Sequence, residues 1–418
     1  MTFLPRMAFL NLARYKKRTM ITAGAIAYGL MMFIVIRSLL TGIDNESEIN
    51  LRLYETATGR IMARGYWDER ETFPLEKSFN PDIIEPVLNA SGAFFSPRIS
   101  FIGDLIFYQN PFPEDGSIPG VFTAIDPVKD NQVFALQETL VEGSWPADGE
   151  QGMVIGHWLA EDIGADIGYT VLVETQTRDG YAQVFDLEIV GIINCPNPEI
   201  TRSGMFLPLS VADEYLEMGG NVTELNVNFG MSGGAARNAE NGFDLLATQV
   251  ETLGLEALDW RTLGADFIAI SQAKAAGTGL IILLILIIAG VGISNTMLMA
   301  VYERVRELGM MRALGMKNRQ IRTLFIWESA GIGFLGSIYG VGLGVLINWP
   351  LVRWGIDYGF LLRESNFGYR IQGQMYGVWD FPSMMSAFVL GIALTVLVAL
   401  FSTYRILRLD IPSSLRFQ

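Results

Sequence analysis

The chain has 418 residues, 50% hydrophobic and 18% charged, which is far too much apolar surface for a disordered protein. Its net charge of −14 and pI near 4.7 exclude a nucleic-acid binder, which needs a basic face. A single cysteine, Cys195, excludes a disulfide framework or Cys-built metal centre, and a single histidine, His157, excludes a multi-His metal site.

Residues 1–18 carry Arg6, Arg14, Lys16, Lys17 and Arg18 and no acid. The next 18 residues, Thr19 to Ile36, carry no charge. As a helix this run spans about 27 Å, close to the ~30 Å hydrocarbon core of a bilayer. A basic front and an apolar run also describe a signal peptide. The run is longer than a usual signal core, and no small-x-small site follows it before Thr41, so a retained span is expected. Arg37, at the end of the run, can snorkel to the interface.

Residues 43–274 hold 12 Lys and Arg against 37 Asp and Glu, more negative charge than the whole chain. The turns are concentrated here. AFFSPRISF and DLIFYQN read as strands around turns, and GVFTAID as a strand leading to a turn at Pro127. MVIGHWLAEDI reads as a strand running into a short helix. YTVLVET and FDLEIVGII alternate as a hairpin about Arg178, Asp179 and Gly180. Leu209–Met218 and Gly242–Leu253 read as amphipathic helices, with a strand in GNVTELNVNFG between them. The pattern predicts an α+β domain of two lobes, with a small β lobe at about 137–218 inserted in the other.

Three more uncharged runs follow: Ala275–Tyr302, Ser329–Val352 and Phe381–Tyr404. The first has 28 residues, about 42 Å of helix, so one end should project beyond the membrane. Between it and the next lie Arg304, Arg306, Arg312, Lys317, Arg319 and Arg322 against Glu303 and Glu307. The tail adds Arg405, Arg408 and Arg416 against Asp410. The positive-inside rule puts both termini and this loop in the cytoplasm and the acidic region outside. Within the loop, Gly309 and Gly315 bracket a short helix, MMRAL. A rigid, charge-patterned helix is what a membrane protein needs to receive force from a soluble partner. In the third run, Gly336, Gly340 and Gly344 recur every four residues, a face for close packing among the four spans or at a subunit interface.

The chemistry-bearing motifs are missing. No G-x-x-x-x-G-K-[ST] occurs, nor H-E-x-x-H, C-x-x-C or G-x-S-x-G, so neither a catalytic site nor a metal site is expected. His157 reads as structural or solvent-facing, Cys195 as an inert small residue, and the acids as a solvated surface.

The segment YERVRELGMMRALGMKNRQI, followed by Glu328 and the glycine ladder, resembles the signature of the MacB/FtsX-like permease superfamily of ABC transporters. So do the N-terminal LNLARYKKRTMIT and the tail TYRILRLDIPSSLRF, in which Ile411 separates Asp410 from Pro412. TAIDP at 123–127, LVEGSW at 140–145, IGHWLAEDIGADIGYTV at 155–171 and the stretch from FDLEIVGII to FLPLSVADEYL are most like the lipoprotein-releasing LolC/LolE type.

The resemblance implies an α-helical membrane protein of four transmembrane helices with a large α+β extracytoplasmic domain, its lobes porter-like and inserted sabre-like. The implied division is 1–42 (amphipathic N-terminus and first span), 43–270 (periplasmic domain), 271–302 (stalk and second span), 303–324 (coupling loop), 325–352 (third span), 353–380 (outer loop), 381–404 (fourth span) and 405–418 (tail). It implies a permease dimer, homo- or heteromeric, in the bacterial inner membrane. A separate P-loop ATPase dimer would bind ATP and Mg, leaving this chain a non-enzymatic transport subunit with no cofactor of its own. Carried over by position, Glu303, Arg304, Arg306, Glu307, Gly309, Arg312 and Gly315 form the ATPase-coupling element. The implied cargo is a lipoprotein taken from the outer leaflet and passed to a periplasmic carrier. Met31, Met32 and Phe33 are candidate liners of an acyl-chain cavity. Cys195, Pro196 and Pro198 lie in a candidate docking loop. The rival readings are an FtsX-like mechanotransmitter acting on a cell-wall hydrolase, and an efflux permease for small molecules or peptides.

Overall fold

The computed structural model describes residues 7–8, 10, 12, 14, 16–108, 115–229, 235–302, 310–357 and 374–406. In chain order the α-helices of six or more residues are α1 (Lys16–Leu51), α2 (Glu85–Ser91), α3 (Pro127–Val133), α4 (His157–Ile163), α5 (Pro198–Ser203), α6 (Leu209–Tyr215), α7 (Ala235–Thr252), α8 (Ala265–Tyr302), α9 (Asn318–Trp354) and α10 (Phe381–Ile406). The strands of four or more residues are β1 (Gly59–Ala63), β2 (Phe94–Tyr108), β3 (Asp115–Ile125), β4 (Leu140–Gly143), β5 (Gly152–Gly156), β6 (Thr170–Gln176), β7 (Ala182–Ile193), β8 (Met205–Pro208), β9 (Glu224–Asn228) and β10 (Leu255–Asp259). The described residues divide into a helical unit, drawn from 7–45, 270–302, 310–357 and 374–406, and an α/β unit within 46–269.

The α/β unit is organised by β2. Its second half pairs with β3 on one side and β6 on the other. β3 pairs with β8, β8 with β5, β5 with β7, and β7 with β6. The hydrogen-bond ladder therefore returns to its start, and six strands close a barrel. Closure removes the open edges that a sheet would otherwise expose. Alternate residues of β2 point inward: Phe101, Gly103, Leu105 and Phe107 are buried, and Phe101 stacks on Phe122 at 5.3 Å. Gly103 is required by the close packing, since a Cβ there would lie 2.9 Å from the Glu174 carbonyl oxygen and 3.1 Å from the Phe122 ring. That glycine explains why one 15-residue strand stands where two strands around turns are expected, with Asn89–Ser91 ending α2 instead.

The first half of β2 belongs to a second sheet, in the order β10–β1–β9–β2. The segment at about 137–218 lies between β3 and β9 in chain order and supplies β4 to β8, so the two parts of the unit share β2. Two ion pairs fasten this region, one buried on both sides and one whose arginine is partly exposed. Arg98 grips Asp130 with Nε–Oδ1 2.8 Å and Nη2–Oδ2 3.0 Å, and lies 3.7 Å over the Phe134 ring. Arg60 meets Glu224 at 2.5 Å, and the Ser100 hydroxyl donates to the same carboxylate at 2.7 Å. Pro127 does not form the expected turn. Asp126 Oδ1 accepts from the backbone N–H groups of Val128 and Lys129, so proline starts α3, where its missing N–H is of no consequence.

In the helical unit, four helices are long and apolar enough to cross a membrane. α1 and α9 run beyond the uncharged sequences: α1 ends at Leu51 rather than near Ile36, and α9 begins at Asn318, inside the expected coupling loop. Trp327 and Trp349 are both exposed on α9, 22 residues apart, about 33 Å of helix. That spacing suits the two interfacial aromatic belts of a bilayer. Leu30, Ile34, Ile332 and Ala387 form a shared core of α1, α9 and α10. The glycine ladder faces α1. A Cβ on Gly336 would lie 2.9 Å from Ile26 Cβ, and one on Gly340 would lie 2.9 Å from Leu30 Cβ and 3.0 Å from the Ala27 backbone. A Cβ on Gly344 would lie 2.9 Å from Ile34 Cδ1. The Ser337 hydroxyl donates to the Phe388 carbonyl of α10 at 3.1 Å. α8 differs from the other three, with only 6% of its apolar stretch buried against 28% to 39%.

The Gly340→Ala variant should lower the thermal unfolding midpoint in detergent, because a methyl group there meets backbone; overpacking of this kind costs about 1–3 kcal/mol. Gly342→Ala, with nothing within 4 Å of the added carbon, should leave the midpoint unchanged. Equal midpoints for the two variants would contradict the packing described.

Candidate functional site

The connection between α8 and α9 is built as a short supported helix. Residues 310–313 are helical. The turn closes with Leu314 N–H donating to Met310 O (2.9 Å), Gly315 N–H to Arg312 O (3.0 Å) and Met316 N–H to Met311 O (3.0 Å). Gly315 has φ +95°, a left-handed conformation that favours glycine and stops the helix. Three residues on, the Gln320 side chain accepts the Lys317 N–H at 2.9 Å and opens α9. Met311 and Met316 pack with Leu298 against Ile321 and Phe325, the latter pair buried on α9. One side of the short helix is thus pinned. Met310 and Leu314, one turn apart on the other side, are 51% and 87% exposed. Of the predicted coupling residues, Arg312 and Gly315 sit in this element, while Glu303, Arg304, Arg306, Glu307 and Gly309 lie outside the described residues. Sequence reading missed Leu314. Its signal is an apolar residue in the last turn of a helix whose other apolar residues have a partner.

The remaining predicted residues are scattered. Gly336, Gly340 and Gly344 pack on α1 of the same chain. Phe33 packs on the α1–α9–α10 core, while Met31 and Met32 are half-buried. Pro196 and Pro198 are exposed, but Cys195 is buried in a second core of the α/β unit with Tyr54, Phe134 and Phe206. Cys195 is therefore a correction to the docking-loop reading: the chain turns inward there. Thr201 fixes the turn, its Oγ1 accepting the Cys195 N–H at 2.9 Å and donating to the Cys195 carbonyl at 2.8 Å. Burial pushes the thiol up to about 12, so it stays protonated and inert near neutral pH. His157 lies 3.4 Å from Glu161, one turn along α4.

A polar staple at one end of the helical unit was not foreseen. The Ser38 hydroxyl donates to the Val378 carbonyl at 2.8 Å and accepts its N–H at 2.9 Å, and the Asn348 amide donates to the same carbonyl at 3.3 Å. Beside it Asp380 caps α10, accepting the Ser383 N–H at 3.1 Å and the Ser383 hydroxyl. Burial works to raise the Asp380 pKa, but the Ser383 hydrogen bonds, the Arg37 charge and Thr41 outweigh it and hold the carboxyl below its ordinary value.

Residues 279–411 match the FtsX-like permease C-terminal family. The lipoprotein-releasing system transmembrane protein LolC of Neisseria meningitidis is 24% identical over 82% of this chain and 82% of its own length. The ABC transporter permease YtrF of Bacillus subtilis is 30% identical over 45% of this chain and 47% of its own length. The macrolide export ATP-binding/permease protein MacB 2 of Aeromonas hydrophila is 25% identical over 82% of this chain and 52% of its own length. This chain is an ABC transporter permease of the FtsX, MacB and LolC type. Among solved structures, the periplasmic region of MacB from Actinobacillus actinomycetemcomitans aligns with a TM-score of 0.35 and 14% identity, over 52% of the permease and 95% of that chain.

Two expectations follow for the permease. A carboxylate whose folded pKa is depressed stabilises above its ordinary pKa, and that stability is lost as pH falls through the folded value. The wild type should therefore lose thermal stability as pH drops below about 4, and Asp380→Asn should lose it at neutral pH and show a flatter acid limb. Iodoacetamide at neutral pH should leave Cys195 unmodified until the α/β unit is unfolded by denaturant, as read by intact-mass analysis.

Proposed function

We propose that this permease, in the inner membrane with its termini cytoplasmic and its α/β unit periplasmic, works as half of a dimer on a pair of P-loop ATPases. Its second half is another copy or a related permease. In this reading the complex lifts lipoproteins from the outer leaflet of the membrane. The observation that carries the ATPase partnership is the pinned helix with Leu314 exposed. A leucine so open on a helix fastened on its other side is suited to fill a pocket on a neighbouring protein. Arg304 and Arg306 flank it in sequence and would add charge contacts to the same partner.

The cargo reading rests on the LolC relatives, whose names describe lipoprotein release and which align over 78% to 82% of this chain in the first three cases. Removing an acyl anchor from a membrane costs about 0.8 kcal/mol per CH2, so a multiply acylated cargo needs a driven step. The pinned helix would deliver that drive: its support, Ile321 and Phe325, lies at the start of α9, which packs on α1 and α10. The exposed face of α8 is then available for the partner permease, for lipid or for the acyl chains.

The Leu314→Asp variant should fold as the wild type does, because the side chain is 87% exposed, yet fail to co-purify with the ATPase or to stimulate its turnover in proteoliposomes. Full coupling by that variant would remove the docking reading. The cargo is tested separately with an acylated lipoprotein in the same proteoliposomes. ATP-dependent release to a soluble acceptor is expected. Intact ATPase coupling without release would instead leave a permease that moves other cargo or transmits force to a hydrolase.

A further inference from the structure

Where the N-terminal segment turns into α1, the helical unit gathers positive charge that it does not neutralise. The Thr19 hydroxyl donates to the Leu12 carbonyl, seven residues back, at 3.4 Å. A Cβ on Gly331 of α9 would lie 2.6 Å from Leu12 Cδ1, so the segment folds back against α9. Lys16 and Lys17, at this corner, are exposed. In the glycine ladder Ile26 meets Gly336, Leu30 meets Gly340 and Ile34 meets Gly344, so α1 and α9 run parallel and both begin at this end. Carried back in the same register, Lys17 stands level with Trp327, the exposed tryptophan of one interfacial belt. Helix N-termini carry partial positive charge and favour acids in the first turn, and neither helix has one. Lys16, Lys17 and Arg319 stand there instead. Arg322 follows, fourteen residues before Gly336 and so on nearly the same face of α9, the one turned to α1. Its Nε is buried with no hydrogen-bond partner among the described residues. None of these four bases forms an ion pair within 4.0 Å among the described residues. The single acid among the described residues of 7–36 and 310–354, Glu328, is buried. Beside the lysines, Met20 and Ile21 are 74% and 69% exposed.

We propose that this corner is a binding site for the phosphate headgroup of an acidic phospholipid. Lys16 and Lys17 would meet the phosphate, with Arg319 and Arg322 adding charge from α9, and the acyl chains would lie along Met20 and Ile21. Membrane topology asks only for bases at this end of the spans. It does not ask for bases in the first turns of two parallel helices, or for an arginine Nε enclosed without an acceptor, which costs free energy. An oxyanion at the headgroup level offsets both. The apolar residues beside the bases, and the tryptophan level with them, select a lipid over a soluble anion. Once bound, the lipid would fasten the folded-back N-terminal segment to α9. The proposal concerns the resting permease in its membrane, and it stands whatever the cargo is.

The test places the full-length permease in nanodiscs of phosphatidylcholine with phosphatidylglycerol and reads the retained lipid by native mass spectrometry. Phosphatidylglycerol should be retained over phosphatidylcholine, and the thermal unfolding midpoint should be higher than in discs of phosphatidylcholine alone. Lys16→Gln combined with Lys17→Gln should cut that retention about tenfold. Arg322→Gln should also cut it, and Arg322→Lys should restore part of it. Arg353→Gln, an exposed base at the other end of α9, should leave it unchanged. Both lysines are exposed, so their variant should keep the wild-type fold, and it decides the matter alone should Arg322→Gln not fold. Equal retention by the wild type and the lysine variant overturns the proposal, as does an equal loss in Arg353→Gln. Inorganic phosphate that raises the midpoint as far as the lipid does would assign the site to a soluble anion and overturn it too. Unchanged lipid retention with lost ATPase binding in the lysine variant would give the bases to a protein partner, with the same consequence.

Discussion

Inside a bilayer two apolar helices gain nothing from leaving lipid, so α1 and α9 stay together only if their backbones can come close. Gly336, Gly340 and Gly344 provide that approach: the surface of α1 lies where a side chain would otherwise stand. Most other features of the helical unit depend on this contact. α10 joins the same core through Ala387 and Met384, and Ser337 hydrogen-bonds to it from within the ladder. Near one end the Ser38–Val378–Asn348 staple ties α1 and α9 to the segment before α10. Dispersion contacts and hydrogen bonds between helices, rather than water expulsion, hold three helices as one packed body.

That body is the route along which the coupling proposed for the loop helix would travel. The helix at 310–313 rests on Ile321 and Phe325, in the first two turns of α9. α9 continues without interruption to Trp354, and its glycines hold α1. A load on the loop therefore enters a helix already close-packed along its length, and close-packed interiors transmit displacement rather than absorb it. α8 lacks such packing within the chain. Its exposed leucines and isoleucines would meet a different neighbour in the proposed dimer.

The spans could be read from the sequence because lipid imposes one rule over eighteen or more consecutive residues. Period-2 alternation likewise located β6 and β7, and Gly315 marked the end of the loop helix. Barrel closure was not legible. It depends on β2 being long enough to pair with β3, β6 and β9 at once, and local patterning reads Gly103 as a break rather than as a close approach. The fate of Cys195 was equally hidden, since nothing in NCPNPE states that Thr201, six residues on, folds back over it. The glycine ladder was legible as a contact face, but its partner was not, because spacing records that a helix comes close and not which helix.

The distribution of charge on the barrel follows from the same logic of closure. Arg98 and Arg60 are committed to Asp130 and Glu224, and burial of both Arg98 and Asp130 makes that pair intolerant of losing either partner. With only 12 bases for 37 acids between residues 43 and 274, fixing two of them there leaves few to neutralise the outer surface. A flat or open sheet could relieve the opposition of Asp104 and Glu174 by fraying at that edge. A closed ring cannot, because β6 is held by β2 on one side and β7 on the other. The barrel thus keeps like charges at a fixed spacing that the fold itself does not need.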